Sequence, residues 1–517
     1  MHKKIALLLM LWAARAGAQV TFSEDVAPII FEHCTKCHRD GEIAPFPLTN
    51  YAETAAMASI IEYVTGIRYM PPWTPDHTYT TFRDENVLTD AEIATIAQWV
   101  ADGAPEGNPA LTPPTPVFPT GSQVGEPDLV LTMEQAYVHQ GNNQDMYKVF
   151  VLPTGLTQDT DIEAIEVRPD NKDICHHAIL GVDISGEAAQ LDAATAEYGY
   201  TQFGGFGFNP IDNLFSAWVP GSSPLVFPPT LGKKLYANSD LLVQMHYGMS
   251  SIEQSDQSSV NIFFADQPIV RYVQTATINP TDLDEQFYIL PGEVKTFHGT
   301  IDVPIDVSLI DVAPHGHLIC KSYEVFATSP SNQDTIKIIK IPEWDFNWQG
   351  LFAFPNLTRI PAGYTVHCIG TFDNTADNPT NPNDPPQLIT WGESTTDEMY
   401  LCFLQYVLYL PGDENISLPT LNEEYMMVYP KEQLFPCYPN PAFTELTIGY
   451  HLLEPRKVSL DVLDLQGRIV ASVFANKSMG MGYHRERFML NELENGTYIY
   501  RLHGEGIDES QRFIVQR

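Results

Sequence analysis

Asp240-Leu241-Leu242-Val243-Gln244-Met245-His246-Tyr247 is an apolar run of strand length that closes on an imidazole, and how it folds decides how its neighbours fold. Eight residues are too few for a buried helix, and Asn238-Ser239 before the run and Gly248 after it are turn formers, so the run reads as a strand. Similar runs recur at residues 336–341 and 364–372, with Gly, Pro, Asn and Asp between them. Residues 121–430 therefore read as β throughout. Roughly 300 residues is more than one sandwich needs. Two tandem β-sandwich domains are expected, at 121–280 and 281–430, meeting near 275–290. Residues 374–386 form a polar, proline-rich loop.

Outside this block the pattern changes. Residues 20–107 read as helical: 26–33 and 91–100 carry helical apolar spacing, and Thr89 and Asp90 sit where an N-cap belongs. Residues 108–120 hold Pro109, Pro113, Pro114, Pro116 and Pro119, which reads as a stiff linker with little to bury. Residues 435–517 read as a compact β unit, with strands at 458–463, 468–474 and 497–502 and a turn signal at Asn495-Gly496. The fold class is multidomain and mainly β, with one small α-helical domain at the front. No fixed-period repeat is present, which argues against solenoids and propellers.

The first 18 residues read as a secretion signal. His2, Lys3 and Lys4 give a basic start, an apolar run follows, and Ala16-Gly17-Ala18 is a cleavage site of small residues that leaves Gln19 first. The run is too short to span a bilayer, and no later segment is apolar enough to do so. Export implies an oxidising compartment in which the seven cysteines can form disulfides. The net charge of -37, from 65 acidic against 28 basic residues, solubilises the surface and excludes nucleic acid as a partner.

Cys34-Thr35-Lys36-Cys37-His38 is the most specific local signal. Two thiols at this spacing can add to the vinyl groups of haem, and the adjacent imidazole ligates the iron. Met70, in Arg68-Tyr69-Met70-Pro71-Pro72-Trp73, is the expected sixth ligand, because the prolines hold its thioether in place. Met57 reads as core, and His33 and His77 as solvent-facing or local hydrogen-bonders. The segment 22–107 resembles bacterial class I cytochrome c domains, which implies one covalently bound haem c on Cys34, Cys37, His38 and Met70.

A second constellation comprises His176-His177, His246, His315-Gly316-His317 and Met399. Imidazoles without thiolate suit copper, and two imidazoles with a thioether favour the cuprous state. In a strand His176 and His177 point to opposite faces, so both reach one ion only where the backbone bends locally or the ion sits at an edge. His315 and His317 share a face. Cys175-His176-His177-Ala178-Ile179-Leu180, Gln244-Met245-His246-Tyr247-Gly248, His315-Gly316-His317-Leu318, Trp344-Asp345-Phe346-Asn347-Trp348-Gln349 and Thr395-Thr396-Asp397-Glu398-Met399 follow in that order, and Trp218-Val219-Pro220-Gly221 also fits. Together they resemble the copper type II, ascorbate-dependent monooxygenases, the family of peptidylglycine α-hydroxylating monooxygenase and dopamine β-monooxygenase.

The resemblance covers 121–430. It implies two jelly-roll-like sandwiches facing across a solvent-filled gap and two copper ions. One is an electron-transfer copper on His176, His177 and His246. The other is a catalytic copper on His315, His317 and Met399, which hydroxylates a C–H bond of a small organic substrate with O2. Gln244 would support the first site. The reductant would be ascorbate-like or an electron-transfer protein, and the fused haem would feed the three-histidine copper.

Peptide-amidating members carry an arginine where Ala313 stands, and an asparagine and tyrosine where Leu401 and Phe403 stand. An apolar or aromatic substrate is therefore expected in place of a peptide carboxylate. The family has a disulfide beside its methionine ligand. Cys368 and Cys402 fall near those positions and can pair, while Cys175 can pair or stay buried. His139, His298, His367 and His451 read as structural or surface residues. A non-catalytic surface protein that binds copper or shuttles electrons, and a purely adhesive protein, are the competing readings.

Cys437-Tyr438-Pro439-Asn440-Pro441 opens the last unit, followed by Gln466-Gly467-Arg468 and Asn495-Gly496-Thr497-Tyr498. It resembles the type A sorting domain of the Bacteroidetes type IX secretion system, an immunoglobulin-like β-sandwich. The resemblance implies passage through periplasm and outer membrane to the cell surface or beyond.

Overall fold

The computed structural model describes residues 19–116, 118, 122–392, 394–419 and, within 433–516, all but 436, 438, 439, 453–455, 480, 481, 491, 492 and 505. The expected leader at 1–18 and part of the expected linker lie outside these residues. The chain is mainly β, in several sheets, and most of its helices gather at the front.

Four helices, Ala27–His33, Tyr51–Ala56, Ala58–Gly66 and Asp90–Ala101, surround a core of Phe22, Ile29, Ile30, Ile61, Ile96 and Trp99. Their starts are set by capping chemistry. Asn50 accepts from the Glu53 amide, and Thr89 and Glu92 form a reciprocal capping box. Residues 108–116 do not hang free. A short turn at Pro109–Leu111 leads into a bond from Thr112 Oγ1 to Ser23 Oγ (2.8 Å) and another from Thr115 Oγ1 to the Thr49 carbonyl (3.3 Å). The Arg39 guanidinium then lies 3.7 Å over the Phe118 ring. The prolines pre-set the backbone, so this strap docks at small entropic cost.

His33 lies inside this unit and bonds locally. Its Nδ1–H donates to Asn86 Oδ1 (2.6 Å), and its Nε2 faces Glu92 at 3.5 Å and Glu32 at 3.8 Å. Burial pushes its pKa down, but the carboxylates of Glu32 and Glu92 outweigh burial and hold it at about 9. The folded value exceeds the unfolded one, so the stabilisation is complete below about pH 6.5 and is lost as pH rises through 9. The helical unit should lose about 2–3 kcal/mol between pH 6.5 and 9.5. Thermal unfolding across that range should show the loss, and His33→Gln should flatten it.

Two sheets of the first β unit face each other. A six-stranded sheet contributes Ile162, Val167 and Val260 to the core, and a five-stranded sheet contributes Leu180, Val182, Leu241 and Val243. Asp240–Tyr247 is an inner strand, flanked by Met146–Pro153 and Cys175–Asp183. It is buried on both faces, because the helix Glu187–Ala193 and the loop carrying Phe206 cover its outer side. Double burial accounts for apolar side chains at successive positions, Leu241, Leu242 and Val243.

The second β unit pairs Gln274–Ile278, Leu401–Leu408, Val307–His315 and Phe352–Ile360 in one sheet. Val294–Asp302, Thr365–Asp373, Cys320–Thr328 and Thr335–Ile341 form the other. The chain crosses between units at Val273, since Arg271–Tyr272 still pairs with Leu231 and Gly232 while Gln274 already pairs with Tyr406. Phe227, Leu231 and Val273 pack against Ile310, Leu357 and Val407 of the second unit. Arg271 grips Asp413 with two bonds of 2.7 and 2.9 Å.

The helical unit is fastened to both β units. Lys36 Nζ donates to Ser223 Oγ (2.9 Å), and the Arg83 amide donates to the Ala353 carbonyl (2.8 Å). Trp73 and Phe82 enter the core of the second unit, with ring centroids 5.6 and 5.5 Å from Phe352. A three-stranded and a four-stranded sheet close the chain around Leu446, Ile448, Val458, Leu460 and Phe513. No described helix is long and apolar enough to cross a membrane.

Candidate functional site

The strands Cys175–Asp183 and Asp240–Tyr247 run antiparallel with His177 opposite His246, and the next pair is Cys175 with Tyr247. One residue, His176, is therefore extra on its strand. This bulge supplies the bend that neighbouring histidines need to face the same way. The ring nitrogens converge: His176 Nδ1 lies 3.2 Å and His246 Nδ1 3.4 Å from His177 Nδ1, and one ligand atom from each lies within 4.8 Å of the others.

Asp145 orients the group. The His246 Nε2–H donates to Asp145 Oδ1 (3.0 Å), which leaves Nδ1 with its lone pair turned inward. The Tyr147 ring stacks on His246 at 4.1 Å. Burial, the first cause in each case, holds His176 at about 4 and His177 well below the usual imidazole range. Neutral imidazoles are the form that binds a cation. Gln244 acts at one remove: its amide donates to the carbonyls of Gln202 and Gly205, holding the loop whose Phe203 packs on Tyr147.

His315 ends the strand Val307–His315, and His317 lies beyond it in the turn, so the expected shared strand face is replaced by a turn. Their rings stand 5.3 Å apart and perpendicular. Each has its Nδ1–H engaged, His315 by Gln349 Oε1 (2.6 Å) and His317 by the Asp397 carbonyl (3.2 Å), so Nε2 remains as the ligand atom on both. Burial holds them at about 3 and about 4.

Glu398 ties this turn to the methionine. Its buried carboxylate accepts the backbone N–H of His317, of Ile319 (3.1 Å) and of Met399 (2.8 Å). Burial pushes its pKa up to about 8, while the amide bonds pull the other way. Met399 is 8% exposed, and a Cβ on Gly316 would stand 3.4 Å from its carbonyl oxygen.

The two histidine groups are neighbours. The Phe346 ring stacks on His176 at 5.2 Å and meets His317 edge-on at 5.9 Å. Thr395 Oγ1 reaches across to Asp145 Oδ2 (3.3 Å). The Phe346 ring thus touches one histidine of each group.

Cys34, Cys37, His38 and Met70 line one cavity of about 500 Å3. The His38 Nδ1–H donates to the Phe46 carbonyl (3.0 Å), which leaves Nε2 as the atom that would hold an iron. The donor set fits a covalent haem with histidine–methionine ligation. The far wall belongs to both β units and includes Val219, Pro220, Gly221, Trp348, Gln349 and Phe352. Met57 packs on the helical core and His77 is exposed.

His139 is buried, accepting the Gly141 amide (3.1 Å) and facing the Gln144 carbonyl (3.2 Å). His298 and His367 form a chain from Asp284 to Thr328. The side chain of His451 lies outside the described residues. Cys368 and Cys402 are buried neighbours in hydrogen-bond contact, as unbonded thiols. Cys175 is a buried thiol beside Asp256 and Ser258, raised by burial.

Asp145, Glu398 and the partnering role of Gln349 escaped the sequence reading. Asp145 is one polar residue in a polar loop, with no signal of its own. Glu398 and Gln349 lie inside stretches already singled out, and their adjacency to Met399 and to the Trp348 aromatic was the available cue.

Residues 436–516 match the family described as Secretion system C-terminal sorting domain. Such a tail directs type IX secretion, as Bacteroidetes use it, so the protein is secreted or held at the cell surface. No curated protein matches the chain. Among solved structures it is similar to the Beta-glucuronidase of Faecalibacterium prausnitzii, at 12% identity over 49% of this chain and 48% of that one, with a TM-score of 0.13. A peptide-N(4)-(N-acetyl-beta-D-glucosaminyl) asparagine amidase is 9% identical over 56% of this chain and 98% of its own, at a TM-score of 0.21. The adhesin domain of Epf from Streptococcus pyogenes is 11% identical over 50% and 78%, at 0.12. The chain spans about half the length of the glucuronidase, and at these TM-scores the likenesses carry no argument.

Proposed function

We propose that this exported protein is a copper-dependent monooxygenase with a c-type haem on the same chain. The observation that carries the reading is the pattern of leftover nitrogens. Asp145 engages the outer nitrogen of His246, while Gln349 and the Asp397 carbonyl engage those of His315 and His317. The ring nitrogens of His176, His177 and His246 converge, and the rings of His315 and His317 stand 5.3 Å apart on the other side of Phe346. His176, His177 and His246 would hold one copper, and His315, His317 and Met399 the other. Copper there would supply one-electron redox chemistry and oxygen activation, so that one atom of O2 would enter a C–H bond and the other would leave as water, with two electrons and two protons consumed.

The protein's own residues set the substrate class. Ala313 lies two residues before His315, so it shares that residue's strand face, and it pairs with Phe403 on the next strand. Neither offers a charge to a carboxylate, which favours an apolar or aromatic substrate. The test is copper and haem quantification on the purified full-length protein, combined with oxygen uptake over aromatic and amine substrates. Two copper ions, one haem and substrate-dependent uptake are expected. Copper without uptake would favour a metal-binding or electron-shuttling surface protein, and no copper would favour adhesion.

Asp145→Asn should weaken copper binding at the three-histidine centre by about 10–100-fold, because the amide no longer holds the charge that fixes the His246 tautomer. Competition with a chromophoric chelator measures it. Unchanged affinity would deny Asp145 this role.

A further inference from the structure

The dipeptide Trp348-Gln349 belongs to two sites at once. Both residues form part of the wall of the cavity that holds Cys34, Cys37, His38 and Met70. The Gln349 amide has a fixed orientation: its Nε2–H donates to the Phe346 carbonyl (2.9 Å), so Oε1 is the atom that accepts the His315 Nδ1–H at 2.6 Å. The Trp348 indole N–H is buried without a partner. One side chain therefore separates the cavity from the His315 ring.

The alternative approach is longer. Gly221 lies against the cavity, and a Cβ there would stand 3.4 Å from Cys37 Sγ. The cavity also touches Ala217, but from there the path must pass to Trp218, cross the sheet to Ala178, and only then reach His177.

We infer that Gln349 couples the haem cavity to the His315–His317 centre, so that electrons reach that centre first and not the three-histidine centre. This rests on the function proposed above. It also needs no movement of the helical unit, because Thr112 and Thr115 are bonded down and Lys36, Trp73, Phe82 and Arg83 fix the cavity against both β units. Gln349 is a positioning residue. It keeps the His315 proton on Nδ1 and forms the short polar step between ring and cavity.

The test uses the full-length protein with haem and both copper ions in place. Under anaerobic conditions the haem is reduced by one equivalent while copper is cupric. Its absorption then follows the passage of one electron from ferrous haem to a cupric ion, which yields ferric haem and a cuprous ion and moves no proton. Gln349→Leu should slow this by about tenfold or more, measured with both centres loaded to saturation with copper because loss of the His315 partner also weakens binding there. Gln349→Glu, which keeps an acceptor for the His315 N–H, should restore the rate to within a few-fold of the native one. A Leu variant as fast as the native chain overturns the assignment.

A measurement without variants covers the case in which Gln349→Leu fails to fold or loses copper. The haem reduction potential of the native chain should differ between copper-free and copper-loaded protein, and equal potentials overturn the coupling. Absence of haem, or of the second copper, would instead sink the monooxygenase reading itself.

Discussion

Met399→Ile should abolish substrate-dependent oxygen uptake, by about a thousandfold or more, which corresponds to ~4 kcal/mol of barrier, while the protein stays folded. Isoleucine approximates the volume of methionine, and such swaps in a core usually cost less than about 1.5 kcal/mol. The backbone bonds that place residue 399 do not depend on its side chain: its amide donates to Glu398 Oε1, and its carbonyl lies against Gly316. What disappears is the thioether. His315 and His317 are then left with two nitrogens and no soft donor, and copper content should fall from two ions per chain toward one. The three-histidine centre draws no ligand from this loop and should keep its ion. Native oxygen uptake in the Ile variant, with two ions bound, would remove Met399 from the ligand set and the hydroxylase reading with it.

The sequence made some of this arrangement legible. Asp240–Tyr247, the Thr89 cap and the strands near 336–341, 364–372 and 458–463 were readable because each is governed by local pattern: double burial, capping chemistry or turn residues at both ends. The paired histidines were readable as candidates, but their convergence was not. It depends on a bulge at His176, and a bulge is set by the register of the partner strand, which the local sequence does not encode. His317 lies in a turn because Glu398, 81 residues away, gathers the amide of His317 and its neighbours. Side chain to backbone bonds over that distance leave no periodic trace. The proline-rich segment read as a linker by composition, yet it docks through Thr112, Thr115 and Phe118. Composition reports stiffness and says nothing of what a stiff segment lies against.

Glu398 carries the second large effect. Its carboxylate is fully buried, and its two oxygens accept backbone N–H groups that include those of His317, Ile319 and Met399. Leucine of similar bulk would leave those donors buried and unpaired. Each such donor costs about 1–3 kcal/mol, so Glu398→Leu should destabilise the second β unit by about 3 kcal/mol or more. The turn that presents His317 and the segment that presents Met399 would lose their common anchor, and copper should leave that centre first. Glu398→Gln keeps one acceptor oxygen but sets an amide N–H against backbone donors, so it should fall between Leu and the native residue in both respects. Thermal unfolding combined with copper counting distinguishes the outcomes. A Leu variant that melts as the native protein does and retains two copper ions would show that the turn is held by its own backbone, and that Glu398 is not the anchor of the His315–His317–Met399 group.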